Sequence, residues 1–253
     1  MKLKKLGLQL YSIRPAMENA EDIRMSFRRI KEMGYDIAQT AGCSIPYEEF
    51  GRIAREEGIE ICGTHDNFEL MVSDPVKSME NHRALGTTNM GSGGYWDLGS
   101  PDSVEKFIEM ANRVADTVYE HGFKFTYHNH SHEFRRLSNG KTAMDMLVEG
   151  LDPVKTSFVL DTYWVQHGGG DVRFWIEKLA GRIDILHLKA MGCNENGPFI
   201  TEIGNDNMNW AGILESAEKS GVKYYVVEQD LWPGDPFDSV RQSAEYLRAN
   251  FME

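Results

Sequence analysis

Cysteine is scarce in this chain of 253 residues: Cys43, Cys62 and Cys193 are all it has, and no CxxC pair occurs. An odd, widely spaced trio supports neither a disulfide framework nor a thiolate zinc site. Long hydrophobic runs are missing too, and none approaches the roughly 18 apolar residues a membrane-spanning helix needs. The basic start Met1-Lys2-Leu3-Lys4-Lys5-Leu6 is followed by no apolar signal core and no small-residue cleavage site. These absences predict a cytoplasmic protein with no membrane partner. Positive charge is in deficit, with 27 Lys and Arg against 39 Asp and Glu and a net charge of -12. Nucleic acid is therefore not an expected partner, because phosphate binding wants a basic surface. No Pro/Ser-rich linker divides the chain, and no GxGxxG follows the first predicted strand, so neither a second domain nor a dinucleotide site has support.

What is present is alternation. Residues 6–11, 35–40, 59–64, 87–91, 123–129, 156–161, 182–189 and 222–229 read as strands. Residues 21–33, 46–57, 74–85, 101–120, 142–149, 172–179, 210–220 and 236–250 read as helices between and after them. The clearest helix carries the stripe Val104, Phe107, Ile108, Ala111, Val114, Ala115 and Val118. Gly34, Gly58, Gly86, Gly122, Gly181 and Gly221 punctuate the unit "helix, Gly, strand", as a glycine helix stop before a tight turn would. Eight βα units over residues 1–253 predict an α/β protein, a single-domain (β/α)8 TIM barrel and not an open doubly wound sheet.

Four of the predicted strands stop on a residue able to bind a metal: His128, Asp161, His187 and Glu228. One such end is ordinary, since a strand-end His or Asp can equally serve a loop or cap a turn. Four, separated by helix-length segments, predict one constellation at the C-terminal end of a parallel barrel. Two imidazoles and two carboxylates suit one divalent ion, Mn²⁺ foremost, with Mg²⁺, Zn²⁺, Co²⁺ or Fe²⁺ also compatible. Strand period places His130 on the face of His128, Lys189 on that of His187 and Asp230 on that of Glu228. Other predicted pocket residues are Gln9 and Tyr11 at the first strand, His65 at the third, and Trp164, whose indole could stack on a ligand ring. Glu202 lies in the long segment 190–209, with Gly192, Gly197 and Gly204, read as a cover over substrate. Lys189 is read as substrate-facing, or as an ion-pair partner at the rim. The run Gly168-Gly169-Gly170 is read as a turn before a helix capped by Asp171.

The motifs Leu6 to Arg14, Tyr127-His128-Asn129-His130-Ser131-His132-Glu133-Phe134, Leu160-Asp161-Thr162-Tyr163-Trp164, Leu186-His187-Leu188-Lys189 and Val227-Glu228-Gln229-Asp230 follow in this order. In that order and spacing the chain resembles the sugar phosphate isomerase/epimerase family, with its xylose isomerase-like barrel. The resemblance implies a divalent metal held by a Glu, an Asp, a His and a second Glu. Asp161, His187 and Glu228 match the last three. His128 stands where the epimerases carry a Glu, and His128, His130 and Glu133 are all candidates for that first position.

The function expected is proton transfer next to a carbonyl of a small carbohydrate or cyclitol through an enediolate, giving isomerisation or epimerisation. Glu228 or His130 moves the proton, with Glu133 and Lys189 orienting oxygens or stabilising charge. The alternative is a lyase or dehydratase on an inosose or 3-keto-glycoside at the same metal site. A different class, a non-catalytic sugar-binding barrel, would show no metal effect on ligand affinity. A homo-oligomer is compatible with the sequence, and Trp96, Trp175 and Trp232 could serve an interface or pack helices.

Overall fold

A computed structural model describes residues 3–252. Eight parallel strands form its sheet: β1 (Gly7–Gln9), β2 (Ile37–Ala41), β3 (Glu60–His65), β4 (Asn89–Ser92), β5 (Lys124–His128), β6 (Thr156–Asp161), β7 (Ile183–Leu188) and β10 (Tyr224–Val227). Their order is β3-β2-β1-β10-β7-β6-β5-β4, and every neighbouring pair is parallel. The outer members β3 and β4 meet through the parallel bridge Asp66↔Ser92, where the Asp66 amide donates to Gly91 O at 2.8 Å. The sheet is thus a nearly closed barrel. Gly91 makes that seam feasible: a Cβ there would run into the Thr64 carbonyl.

The predicted alternation is present, with local differences. β1 ends at Gln9 and the chain enters a 3-10 helix, Leu10–Ala16, because the Gln9 side chain accepts from the Tyr11 amide and caps it. Two short helices, Phe68–Ser73 and Thr162–His167, occupy segments expected to be loop. Side-chain caps from Asn67 and Asp161 start them. Segment 190–209 is more ordered than a loop, since β8 (Ala190–Asn194) and β9 (Gly197–Thr201) pair as an antiparallel hairpin. All six glycines expected to stop helices have φ between 70° and 93°, the left-handed conformation that costs glycine least.

The helix Pro101–Tyr119 shows how the outer layer is held. Ser100 caps it, Pro101 sits in its first turn, and Val104, Phe107, Ala111, Val114, Ala115 and Val118 are buried against the sheet. Phe107 lies 5.3 Å, centroid to centroid, from Tyr127, an outward residue of β5. Inside the barrel Ile37, Cys62, Val159, Ile185 and Val226 form an apolar plug. Ile185 fits because Gly63 has no side chain; a Cβ there would lie 2.7 Å from Ile185 Cδ1. The plug closes the barrel below, so the polar residues one pleat higher open only toward the C-terminal face.

Candidate metal centre and pocket

Each member of the polar layer comes from a different strand end. β5 delivers His128, β6 Asp161, β7 His187, and the residue after β10 is Glu228. One potential ligand atom from each lies within 4.8 Å of the others, and all four residues are buried. Asp161 Oδ2 is 3.5 Å from His128 Nε2 and 3.6 Å from His187 Nδ1. Glu228 Oε2 is 3.0 Å from His187 Nδ1 and 3.9 Å from His128 Nε2.

The surroundings aim these atoms. His187 Nε2 lies 2.5 Å from Gln39 Oε1, while Gln39 Nε2 donates to Thr64 O at 3.5 Å. That places the amide oxygen on the imidazole, so Nε2 keeps its hydrogen and Nδ1 turns to the carboxylates. His128 Nδ1 faces Gly93 O at 3.4 Å, leaving Nε2 for the centre. Asp161 Oδ1 accepts from the Trp164 amide at 2.8 Å, and the Asp161 amide donates to Asn129 Oδ1 at 2.9 Å. His128 Nε2 and Asp161 Oδ2 are left buried with no hydrogen-bond partner. Two unsatisfied buried atoms facing one space are costly in an apo protein and fitting in a cation site. The quartet could hold a metal ion.

Charge is balanced tightly here. Burial opposes a charge on His187, but Glu228 and Asp161 outweigh it and raise its pKa to about 9. Burial would raise Glu228, yet Lys189 and His187 hold it well below the carboxylate range. Lys189 Nζ lies 2.5 Å from Asp230 Oδ2, 3.3 Å from Glu228 Oε2 and 3.9 Å from Asp161 Oδ2. Those three carboxylates overcome burial and push Lys189 above its ordinary value. Two further imidazoles are held neutral: burial, helped by His128, takes His130 down to about 3 and His65 well below its usual value.

The predicted pocket residues divide into two sets. His65, Tyr11, Trp164, His130, Lys189, His128 and Glu228 line one cleft above the quartet. His65 Nδ1 faces Gln9 Nε2 at 3.3 Å, and Gln9 Oε1 accepts from the Tyr11 amide, so His65 accepts at Nδ1 and carries its hydrogen on Nε2. Gln9 therefore stands behind the lining. Glu133 is also out of reach: it is fully buried, with Oε1 accepting from Tyr127 Oη at 2.7 Å and Oε2 from the His130 amide at 2.9 Å. It positions the His130 turn. Glu202 faces away as well, accepting from Ser239 Oγ, Gln229 Nε2, Thr201 Oγ1 and Asn205 Nδ2. It ties the base of the β8–β9 hairpin to the barrel.

Gln39 and Asn129 were not singled out from sequence. Asp230, placed on the face of Glu228 by strand period, is the partner of Lys189. Gln39 is a polar residue near the end of a buried strand, a weak signal at most. Trp96, expected at an interface or in helix packing, stands at the cleft mouth. No described helix is long and apolar enough to cross a membrane.

The profile of the xylose isomerase-like TIM barrel matches residues 27–250. Inosose dehydratases are similar over part of the chain. That of Mesomycoplasma hyopneumoniae strain 7448 is 23% identical, covering 57% of this chain and 54% of the relative. That of Geobacillus thermodenitrificans strain NG80-2 is 25% identical, covering 60% and 54%. The chain thus spans about half the length of these curated relatives. A solved sugar phosphate isomerase/epimerase from Parabacteroides distasonis ATCC 8503 superposes with a TM-score of 0.83 at 25% identity, covering 99% of this chain and 100% of that one. A D-allulose 3-epimerase from Methylomonas sp. has a TM-score of 0.71 at 13% identity, covering 98% of each chain, a likeness of fold alone. With its barrel, its strand-end quartet and a profile match along most of its length, the chain belongs to the xylose isomerase-like TIM barrel family.

Proposed function

We propose that this chain is a divalent-metal-dependent enzyme that moves a proton next to a carbonyl of a sugar or cyclitol, as an isomerase or epimerase. The observation that carries the reading is the pair of partnerless buried atoms, His128 Nε2 and Asp161 Oδ2, facing His187 Nδ1 and Glu228 Oε2. A divalent cation held by His128, Asp161, His187 and Glu228, with Mn²⁺ suited to this donor set, would supply Lewis-acid polarisation of a carbonyl and its neighbouring hydroxyl. Lys189, kept protonated by Asp230 and Glu228, faces the cleft and stabilises negative charge developing on a substrate oxygen. His65 offers Nε2–H, buried and without a partner, to a substrate hydroxyl. Two groups can carry the proton, Glu228 from the β10 side and His130 from the β5 side, on strands three positions apart in the sheet. His130 Nδ1 is buried and unpaired.

A second reading shares the first proton transfer and then expels water or an aglycone. The inosose dehydratases among the relatives favour it. Both readings are tested by incubating ketoses, inososes and 3-keto-glycosides in D₂O, with Mn²⁺ and with a chelator. Metal-dependent deuterium uptake with a product of equal mass is expected for isomerisation, and loss of water or aglycone for elimination. If no substrate takes up deuterium while Mn²⁺ is bound, the enolising reading is lost.

A further inference from the structure

The cleft continues past the quartet to a rim that includes Tyr95, Trp96, Leu98, His132 and Arg135. Its volume is about 1320 Å³, above the roughly 300–1,000 Å³ that holds drug-sized ligands. One sugar ring over the quartet would leave the rim unfilled. Trp96 stands there 73% exposed, although its ring centroid is only 4.8 Å from that of His130 and 5.0 Å from that of His132. Phe68 and Phe107, packed against the adjacent Tyr95, are buried in the core. The His130 ring lies 4.7 Å from that of His128. Trp96 is therefore one imidazole beyond the quartet. The loop is pressed against that imidazole, since a Cβ on Gly94 would lie 2.9 Å from His130 Cε1. Two lining residues, His130 and Trp164, carry buried ring nitrogens with no hydrogen-bond partner, which ligand oxygens can satisfy.

We propose that Trp96 and His132 form an outer subsite for a second ring bonded to the reacting sugar, so that the substrate is a glycoside whose reacting ring carries a ketone, and not a free monosaccharide. An exposed indole suits either a sugar's C–H face or an aryl ring. The inference rests on the sugar-enzyme reading above, and binding, which needs no turnover, tests it separately.

The Mn²⁺-loaded chain is titrated calorimetrically with methyl glycosides, phenyl glycosides and disaccharides of gluco, galacto and manno configuration. In at least one configuration a two-ring ligand is expected to bind about tenfold tighter than the methyl glycoside. Trp96→Ala is expected to cut that ratio to roughly threefold or less, and Trp96→Phe to keep most of it. Tighter phenyl glycoside points to an aryl aglycone, and tighter disaccharide to a glycosyl one. Equal affinity for one-ring and two-ring ligands, a preference that survives Trp96→Ala in a variant of native circular dichroism, or no binding of any probe would overturn the subsite. A preference without deuterium uptake would remove the enolising chemistry and leave the subsite. Uptake without a preference would do the reverse.

Discussion

Gln39→Leu removes the acceptor that orients His187 and leaves all four proposed ligands in place. The imidazole is fully buried, and the Gln39 oxygen at 2.5 Å is the partner of its Nε2–H. Without it the ring, which must be neutral to ligate a metal, has two choices. It can keep the hydrogen on Nε2, unsatisfied, at a cost of about 1–3 kcal/mol. Or it can carry the hydrogen on Nδ1, the atom that lies 3.0 Å from Glu228 and 3.6 Å from Asp161, where the proton competes with a metal. Either outcome weakens the site by about 10–100-fold, the range for losing an outer partner of a ligating histidine, or about 1.4–2.7 kcal/mol. Mn²⁺ titration by calorimetry, with free Mn²⁺ followed by electron paramagnetic resonance, measures it. Gln39→Glu keeps an acceptor on Nε2 and is expected to bind Mn²⁺ close to native. If Gln39→Leu binds Mn²⁺ as tightly as the native chain, with unchanged circular dichroism, then Gln39 does not set the tautomer, or His187 is not a ligand.

Two further outcomes concern the frame. Glu202→Gln turns an amide donor toward hydroxyl and amide donors, and should cost about 2 kcal/mol at pH 7 in urea unfolding. Burial would raise the Glu202 pKa, but hydrogen bonds from Ser239 and Gln229 hold it at about 2. Its stabilisation is therefore complete above the unfolded pKa of about 4.3 and is lost as pH falls through about 2. The gap between native and variant should close over that window, and a gap that stays constant from pH 6 to pH 2 would refute the assignment. Gly91→Ala, whose Cβ meets the Thr64 carbonyl, should cost at least about 2 kcal/mol, whereas Gly86→Ala, at φ 86° with nothing within 4 Å of the added carbon, should cost about 1 kcal/mol. Thermal melts that reverse this order would contradict the account of the barrel seam.

The residues differ in how far local pattern could place them. His128, Asp161, His187 and Glu228 end apolar strands, and period two puts each on the inner face of a barrel, so their convergence was legible. Glu133 was read toward the substrate because it follows a strand end, and Glu202 because it lies in the long segment 190–209; a carboxylate looks the same in sequence whether it faces a pocket or a buried donor. Tyr127 alternates out of phase with His128 and could have signalled a partner beneath the sheet. The Ser239 and Gln229 donors to Glu202 are 37 and 27 residues away, and no local pattern announces them.

By itself the sequence determined the eight βα units, their order, the left-handed glycines that end helices and the strand ends that carry chemistry. These depend on side-chain periods of 2 and 3.6 and on the conformational freedom of single residues, all local quantities. Only the tertiary structure decided which atoms of that chemistry are satisfied and which are left free. Gln39 reaches His187 across 148 residues, Asn129 reaches Asp161 across 32, and Trp96 is brought beside His130 by a loop from the neighbouring strand. Such pairings arise from barrel closure and strand register, where a contact is set by three-dimensional proximity and not by sequence separation.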